Sequence, residues 1–219
     1  MKTYMSLLKK DLFLMGNYVW FILIFTIVVP YFYYWRLPDF SRQPGTGLLV
    51  LIVTSVYSEF LAYEQIYLKD AEYPRALSLF CVSPYRRRDM VLCRYLLFCL
   101  VFVASAVIYT IAILPLPSSF LPSPPEYAAA FFLTALLFCI LTPLQYKFGF
   151  ENSKFIVVII IMTSCFLLPV LQKKNVLQPA WLSSFPTVPV SLLVLSLCAV
   201  LLSVSAAVTI HILSRKELK

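Results

Sequence analysis

The residues of this chain that could do chemistry inside an apolar environment cluster at positions 54–59. This stretch carries three aliphatic hydroxyl side chains and one carboxylate, at Thr54, Ser55, Ser58 and Glu59. A carboxylate within an apolar segment is unfavourable unless it is hydrated, paired or protonated, so such a residue is a candidate functional position. The structural alternative is that the Glu59 side chain extends along its helix to the nearest polar surface.

Residue types and spacing exclude several other kinds of chemistry. The six cysteines form no C-x-x-C pair, and His211 is the only histidine, so we predict no metal site. The chain has four glycines and no match to G-x-x-x-x-G-K-[ST] or G-x-G-x-x-G. We therefore expect no catalytic residue and no cofactor on this chain. The net charge of +8 does not indicate a nucleic-acid partner, because the basic residues lie at the ends of apolar blocks.

The composition is that of a multi-pass membrane protein. Hydrophobic residues make up 61% of the chain and charged residues 13%, with a mean hydropathy of +0.87. The apolar residues occur in blocks of about 20, the length that a helix needs to cross a bilayer. We predict one all-α membrane domain over residues 1–219 with six transmembrane helices, at about 18–34, 45–63, 90–114, 127–146, 155–171 and 188–213.

The first 16 residues predict an amphipathic helix that lies at the membrane interface. Lysines and small polar residues alternate there with apolar ones at helical spacing. The predicted apolar stripe consists of Met1, Tyr4, Met5, Leu8, Leu12 and Met15.

The distribution of basic residues predicts the orientation. If the amino terminus is inside, the inner segments carry 14 Lys and Arg and the outer segments carry 4. By the positive-inside rule this imbalance places both termini in the cytoplasm, in the cell membrane.

The longest predicted cytoplasmic connection, residues 64–89, has the pattern of a docking element. Tyr73, Ala76, Leu77 and Phe80 fall at i, i+3, i+4 and i+7, so they share one face of a short helix. An apolar face of this kind predicts contact with another surface, either a partner or the ends of the chain's own transmembrane helices.

Three consecutive arginines, Arg86, Arg87 and Arg88, follow this pattern, just after Ser83 and Pro84. Ser before Pro is typical of a helix start, so we expect the helix of the third span to begin there. Arginines in a first turn oppose the helix dipole, which indicates that anionic lipids or an acidic partner hold them.

The stretch Ser83 to Arg94 resembles the basic segment T-P-V-S-R-R-E-I-V-L-G-K that introduces the third span of ABC-2 type permeases. The amino-terminal L-L-K-K-D-L and the closing S-R-K-E-L are also similar to the small six-span members of that family. The resemblance implies a permease subunit that works as a dimer with two separate ATP-binding subunits, which hold the ATP and magnesium.

The resemblance also implies roles for the residues above. The helix between spans 2 and 3 would be the coupling helix, with Tyr73, Ala76, Leu77 and Phe80 docked in the ATPase and Glu72 and Arg75 on the rim. Thr54, Ser55, Ser58 and Glu59 would line the translocation path, where Glu59 would meet a polar or cationic part of the cargo or form a gate contact with the paired subunit. The aromatic-rich, glycine-poor spans favour export of a hydrophobic or amphipathic substrate such as a membrane-active peptide, a lipid or a drug.

Two other classes of function remain open from the sequence. One is a noncatalytic membrane scaffold or immunity protein, in which the permease-like connection has lost its role. The other is a membrane-embedded lipid-modifying enzyme, which usually needs clustered Asp, Glu, His or Arg at the membrane face. Apart from Glu59, the acidic residues of this chain are dispersed through the connections.

Overall fold

The computed structural model describes residues 2–36, 45–72, 87–148 and 187–215, together with positions 155, 158, 159 and 163. These parts of the chain form helices and turns, with no β-strand among them. The six helices are α1 (Lys2–Met15), α2 (Tyr18–Arg36), α3 (Thr46–Glu72), α4 (Arg87–Ile113), α5 (Pro124–Phe148) and α6 (Thr187–Arg215).

Five of these helices, α2 to α6, are long and apolar enough to cross a membrane. The prediction of an all-α, multi-pass membrane protein is confirmed for the described residues. The five helices correspond to the predicted spans at 18–34, 45–63, 90–114, 127–146 and 188–213. The remaining predicted span, 155–171, lies almost entirely outside the described residues, so the count of six spans stays a prediction.

Helix α3 is the central helix of the described bundle. It contacts α1, α2, α4 and α5, and 67% of its apolar window is buried, against 22% for α2 and for α6. Helix α4 is the second hub, with contacts to α1, α2, α3 and α6. The buried faces of these helices contact other helices. The exposed residues of α2 and α6 are largely apolar, as is typical of helix faces that contact lipid.

The connection between the second and third spans is shorter in the structure than the predicted 64–89. Helix α3 continues to Glu72, and α4 begins at Arg87. Polar residues after position 63 interrupt the apolar block but not the helical periodicity, because Ala62, Tyr63 and Ile66 are all buried. Residues 73–86, with Ser83 and Pro84, lie outside the described residues.

Helix α1 packs on the bundle instead of lying free of it. Met15 is buried in a cluster with Ile66 of α3 and Leu97 of α4, and Leu8 and Leu12 of the predicted stripe flank this cluster. Its position at a membrane interface stays a prediction.

The face of α1 that turns to the bundle differs in part from the predicted lipid-facing stripe. Leu7 and Asp11, which are not in that stripe, are buried, whereas Met5 of the stripe is exposed, as a residue that contacts lipid would be. The Asp11 carboxylate accepts a bond from the Cys93 thiol of α4 (3.8 Å) and pairs with Lys10 (3.5 Å). These contacts explain why the α1 face that turns to the bundle includes an acidic residue.

Gly16 makes the turn that follows α1 possible. Its φ of +47° is a left-handed conformation that residues with a side chain rarely adopt. The turn is closed by the Val19 amide, which donates to the Gly16 carbonyl oxygen (3.4 Å).

The connection from α4 to α5 folds back on the start of α3. The single hydroxyl proton of Tyr109 is shared between the carbonyl oxygens of Gly47 (3.2 Å) and Phe120 (3.3 Å). Helix α5 then begins at an S-x-x-E sequence, in which the Ser123 amide donates to the Glu126 carboxylate and the Glu126 amide donates to the Ser123 carbonyl oxygen (2.9 Å). Two prolines in the first turn of α5 need no amide partner, which suits this position.

Candidate functional site

Glu59 lies at the midpoint of α3 and is buried in the bundle. Only 6% of its surface is exposed, and neither carboxylate oxygen has a hydrogen-bond partner among the described residues. The alternative in which Glu59 extends to a polar surface is not what the structure shows. A buried carboxylate of this kind needs a neutralising proton or cation, because an unpaired buried charge is several kcal/mol unfavourable.

A small cavity adjoins this carboxylate, between α3, α4 and α5. Its volume, counted as the space that the centre of a water molecule can occupy, is about 40 Å³. This is room for a few water molecules or for a small polar group of a ligand. We call it the Glu59 cavity. Its lining residues are Val56, Glu59, Phe60, Tyr63, Phe98, Thr134, Leu137, Phe138, Leu141, Thr142 and Gln145.

Aromatic rings form a large part of the cavity wall and hold one another in place. Phe138 of α5 stacks on Phe98 of α4, with ring centroids 4.4 Å apart. The Tyr63 ring lies 5.4 Å from Phe138, and Tyr95 meets Phe138 edge-on at 5.1 Å. Such pairs stabilise beyond simple apolar burial, so this wall is preformed.

Two hydroxyls in the wall are engaged in other bonds. The Tyr63 hydroxyl donates to the Arg94 carbonyl oxygen (2.6 Å), across to α4. The Thr134 hydroxyl donates to the Ala130 carbonyl oxygen (2.8 Å) in its own helix. Neither hydroxyl proton is therefore directed to Glu59, and the Thr134 oxygen keeps its lone pairs for a further donor.

The structure divides the four predicted path residues between two faces of α3. Thr54 and Ser58 are bonded within the helix, through Thr54 to Val50 and Leu51 and through Ser58 to Thr54. The Ser58 hydroxyl also lies 3.4 Å from that of Thr26 in α2.

Ser55 and Glu59 are four residues apart and share the other face. Like Glu59, Ser55 has a buried side-chain oxygen without a partner among the described residues. Ser55 and Glu59 thus lack partners in the described part of the chain, whereas Thr54 and Ser58 are hydrogen-bonded within α3, and Ser58 also approaches α2.

The predicted coupling and basic residues fall mostly outside the described residues. Glu72 is the last residue of α3, Arg87 is the first of α4, and Arg88 is exposed in the first turn of α4. The predicted residues outside the description are Tyr73, Arg75, Ala76, Leu77, Phe80 and Arg86. Their assigned roles stay predictions.

The contribution of α5 to the cavity was missed by the sequence analysis. Thr134, Phe138, Thr142 and Gln145 recur at spacings of three or four residues, so they lie along one face of the helix. Polar residues at this spacing inside an apolar block were the available signal. Within the described part of the chain no three His, Cys, Asp or Glu side chains come together as a metal site would require.

A bundle of apolar helices around a buried carboxylate and an aromatic-walled cavity defines a polytopic membrane protein with a polar site in its interior. Comparison with protein families gives its class. The model of the ABC-2 family transporter proteins matches residues 6–214, so the chain belongs to that family. No curated protein and no solved structure matched the chain.

Family membership confirms the resemblance noted in the sequence. It makes the chain a membrane component of a transporter, and members of this family are generally not themselves catalytic. It also implies, in general terms, a partner subunit that binds ATP.

Proposed function

We propose that this chain is the permease subunit of an ATP-driven exporter. Two copies form the translocation path, and two separate ATP-binding subunits, which hold ATP and magnesium, supply the force. The observation that carries the proposal is the family match over residues 6–214, on a chain whose sequence contains no Walker A motif. Both termini face the cytoplasm, as the distribution of basic residues indicates.

The position of the coupling segment in the bundle supports this mechanism. Residues 73–86 join the end of α3 to the start of α4, and these two helices have the most neighbours in the described bundle. A displacement applied to their connection is therefore passed to α1, α2, α5 and α6. A docking element between any two peripheral helices would move fewer of the spans.

The coupling helix docks through its apolar face. Tyr73, Leu77 and Phe80 enter a groove of the ATP-binding subunit together with Ala76, since buried aromatic and aliphatic anchors give most of the energy of such interfaces. Glu72 and Arg75 lie at the rim and set the register. Arg86, Arg87 and Arg88 bind anionic lipid or acidic residues of the partner beside this groove.

The exported cargo is hydrophobic or amphipathic, such as a membrane-active peptide. The interior of the described bundle is largely apolar and aromatic, and Glu59 is the only carboxylate in the wall of the cavity. This composition fits a substrate with an apolar body and few polar groups and does not fit a hydrated ion.

The experiment that tests the proposal is purification of tagged chain from native membranes, with the ATP-binding subunit identified by its Walker A peptide. The double variant Tyr73→Asp/Leu77→Asp places two charges on the docking face, and we expect the ATP-binding subunit to be lost from the eluate. The matched control, Ala71→Asp/Ser78→Asp, adds the same charge on the opposite side of the predicted helix and should retain it.

Both variants must reach the membrane in wild-type amounts for the comparison to count. Retention of the ATP-binding subunit by the Tyr73→Asp/Leu77→Asp protein would contradict docking through this face. A wild-type chain that purifies without any such subunit would instead favour a noncatalytic scaffold.

A further inference from the structure

The Glu59 cavity is lined, within the described part of the chain, by one acidic side chain, that of Glu59, and by no basic side chain. The carboxylate is buried and lacks a hydrogen-bond partner among the described residues. A cation that enters the cavity gains an ion pair with Glu59 and loses its hydration, so net binding also requires hydrogen bonds to its other N–H groups.

The remaining wall selects for an organic cation. Four aromatic side chains line the cavity, at Phe60, Tyr63, Phe98 and Phe138. Aromatic faces attract ammonium groups and also pack against their apolar stems. Divalent metals need several oxygen ligands with more than one charge, and a single carboxylate does not provide them.

The size of the cavity limits what it can hold. A space of about 40 Å³ accepts an ammonium head and the first carbons of its stem but not a whole peptide or drug. Oxygens of Thr134, Thr142 and Gln145 are in the same wall and can accept the other N–H bonds of a primary ammonium.

We propose that the Glu59 cavity is a subsite for the primary ammonium group of an amphipathic cargo, with the Glu59 carboxylate as its counter-ion. The inference rests on the transport function proposed above and adds the chemical class of the group that is recognised. A lysine side chain or a free amino terminus of a membrane-active peptide carries this group, while the apolar body of the cargo stays outside the cavity.

A lipid amine has the same chemistry, and the lipid composition of the assay separates the two sources. The apolar block of the predicted second span ends at Tyr63, so Glu59 lies about one helical turn from its inner end. An amine of phosphatidylethanolamine in the inner head-group layer therefore competes for this position, whereas nanodiscs of phosphatidylcholine contain no primary amine.

The test is equilibrium binding of radiolabelled hexylammonium to the purified full-length chain in phosphatidylcholine nanodiscs. We expect saturable binding that unlabelled hexylammonium displaces at a concentration about tenfold or more below that of hexanol. Glu59→Gln keeps the shape and removes the charge, and it should weaken binding by about tenfold or more. Glu64→Gln, on the same helix but outside the cavity lining, should stay within about twofold.

Each outcome decides the proposal. Equal displacement by hexanol and hexylammonium, or unchanged affinity in a folded Glu59→Gln protein, would overturn it. If Glu59→Gln does not fold, the comparison of amine with alcohol on the wild-type chain still decides.

Affinity that is unchanged when the nanodiscs contain phosphatidylethanolamine supports a cargo amine, and loss of binding there would assign the cavity to lipid instead. Failure of amine binding while the ATP-binding subunit still co-purifies would reject this subsite and leave the permease function in place.

Discussion

Two serines of α3, one helical turn apart, differ in whether their buried hydroxyls are hydrogen-bonded. Ser58 donates to the Thr54 carbonyl oxygen (2.7 Å), whereas the buried Ser55 oxygen has no partner among the described residues. A buried polar group without a partner is destabilising, and it is retained only where something else requires it. Ser55 shares its helix face with Glu59, which fits a face that is polar for function.

At this scale we predict opposite effects of two alanine substitutions. Ser55→Ala removes an unpartnered hydroxyl and should raise the free energy of unfolding by about 1 kcal/mol. Ser58→Ala removes a satisfied hydroxyl and should lower the free energy by about 0.6 kcal/mol. The measurement is detergent-induced unfolding of the purified variants, followed by helical circular dichroism. A loss of stability in Ser55→Ala as large as that in Ser58→Ala would mean that Ser55 has a partner.

Gly47 is a second residue whose identity the structure explains. A Cβ atom built on Gly47 would collide with the carbonyl oxygen of Phe120, in the short turn Ser118–Phe120, and would lie 2.8 Å from its carbonyl carbon. The obstruction is backbone, so it cannot move aside as a flexible side chain would. The Tyr109 hydroxyl bonds both Gly47 and Phe120 and holds this contact closed.

We therefore expect Gly47→Ala to destabilise the protein by about 1–3 kcal/mol, as overpacking does. In a helix position with open space the same substitution stabilises by up to about 1 kcal/mol, so the sign of the change is diagnostic. Thermal unfolding in detergent measures it, with Leu121→Ala, at an exposed residue of the same connection, as the control. Unchanged or increased stability of the Gly47→Ala protein would show that α3 and the turn do not meet so closely.

At the scale of elements, the sequence predicts the helices well and the way they pack less well. The predicted spans coincide closely with α2, α4, α5 and α6, because hydropathy in a membrane protein follows directly from the thickness of the bilayer. The end of the apolar block does not mark the end of α3, since hydropathy falls after Tyr63 while the helix continues to Glu72 on buried residues that include Ile66.

For the candidate site too, the sequence predicts the individual residue better than the packing around it. A carboxylate inside an apolar block marks Glu59 as important from sequence alone. The cavity beside it depends on Phe98 and Phe138, which come from two other helices, and on the rotation of α5 about its axis. Those are tertiary features, and apolar residues that surround a helix on all sides give no periodic signal from which to predict its rotation.

For the whole molecule, the number of spans decides on which side the chain ends. Five described helices are apolar enough to cross, and the predicted span at 155–171 would make six. Six spans place both termini on one side of the membrane, and five spans would place them on opposite sides.

We predict that reporters fused at the amino and carboxyl ends both give cytoplasmic signals. Green fluorescent protein fluoresces only when it folds in the cytoplasm, whereas an extracytoplasmic phosphatase is active only on the outer side. Each end therefore gives a positive signal with one of the two reporters, whichever side it is on. Deletion of residues 155–171 is the matched control and should move the carboxyl end to the outer side. A phosphatase-active carboxyl-terminal fusion of the intact chain would contradict the six-span topology.

The central claim is that force made by an ATP-hydrolysing partner enters this bundle through the connection between α3 and α4. The most direct measurement is ATPase activity that co-purifies with the tagged chain from its native membranes. We predict magnesium-dependent, vanadate-sensitive activity with the wild-type chain and with Ala71→Asp/Ser78→Asp, and loss of that activity with Tyr73→Asp/Leu77→Asp. A folded wild-type chain that carries no ATPase activity, or equal activity in all three eluates, would contradict the claim.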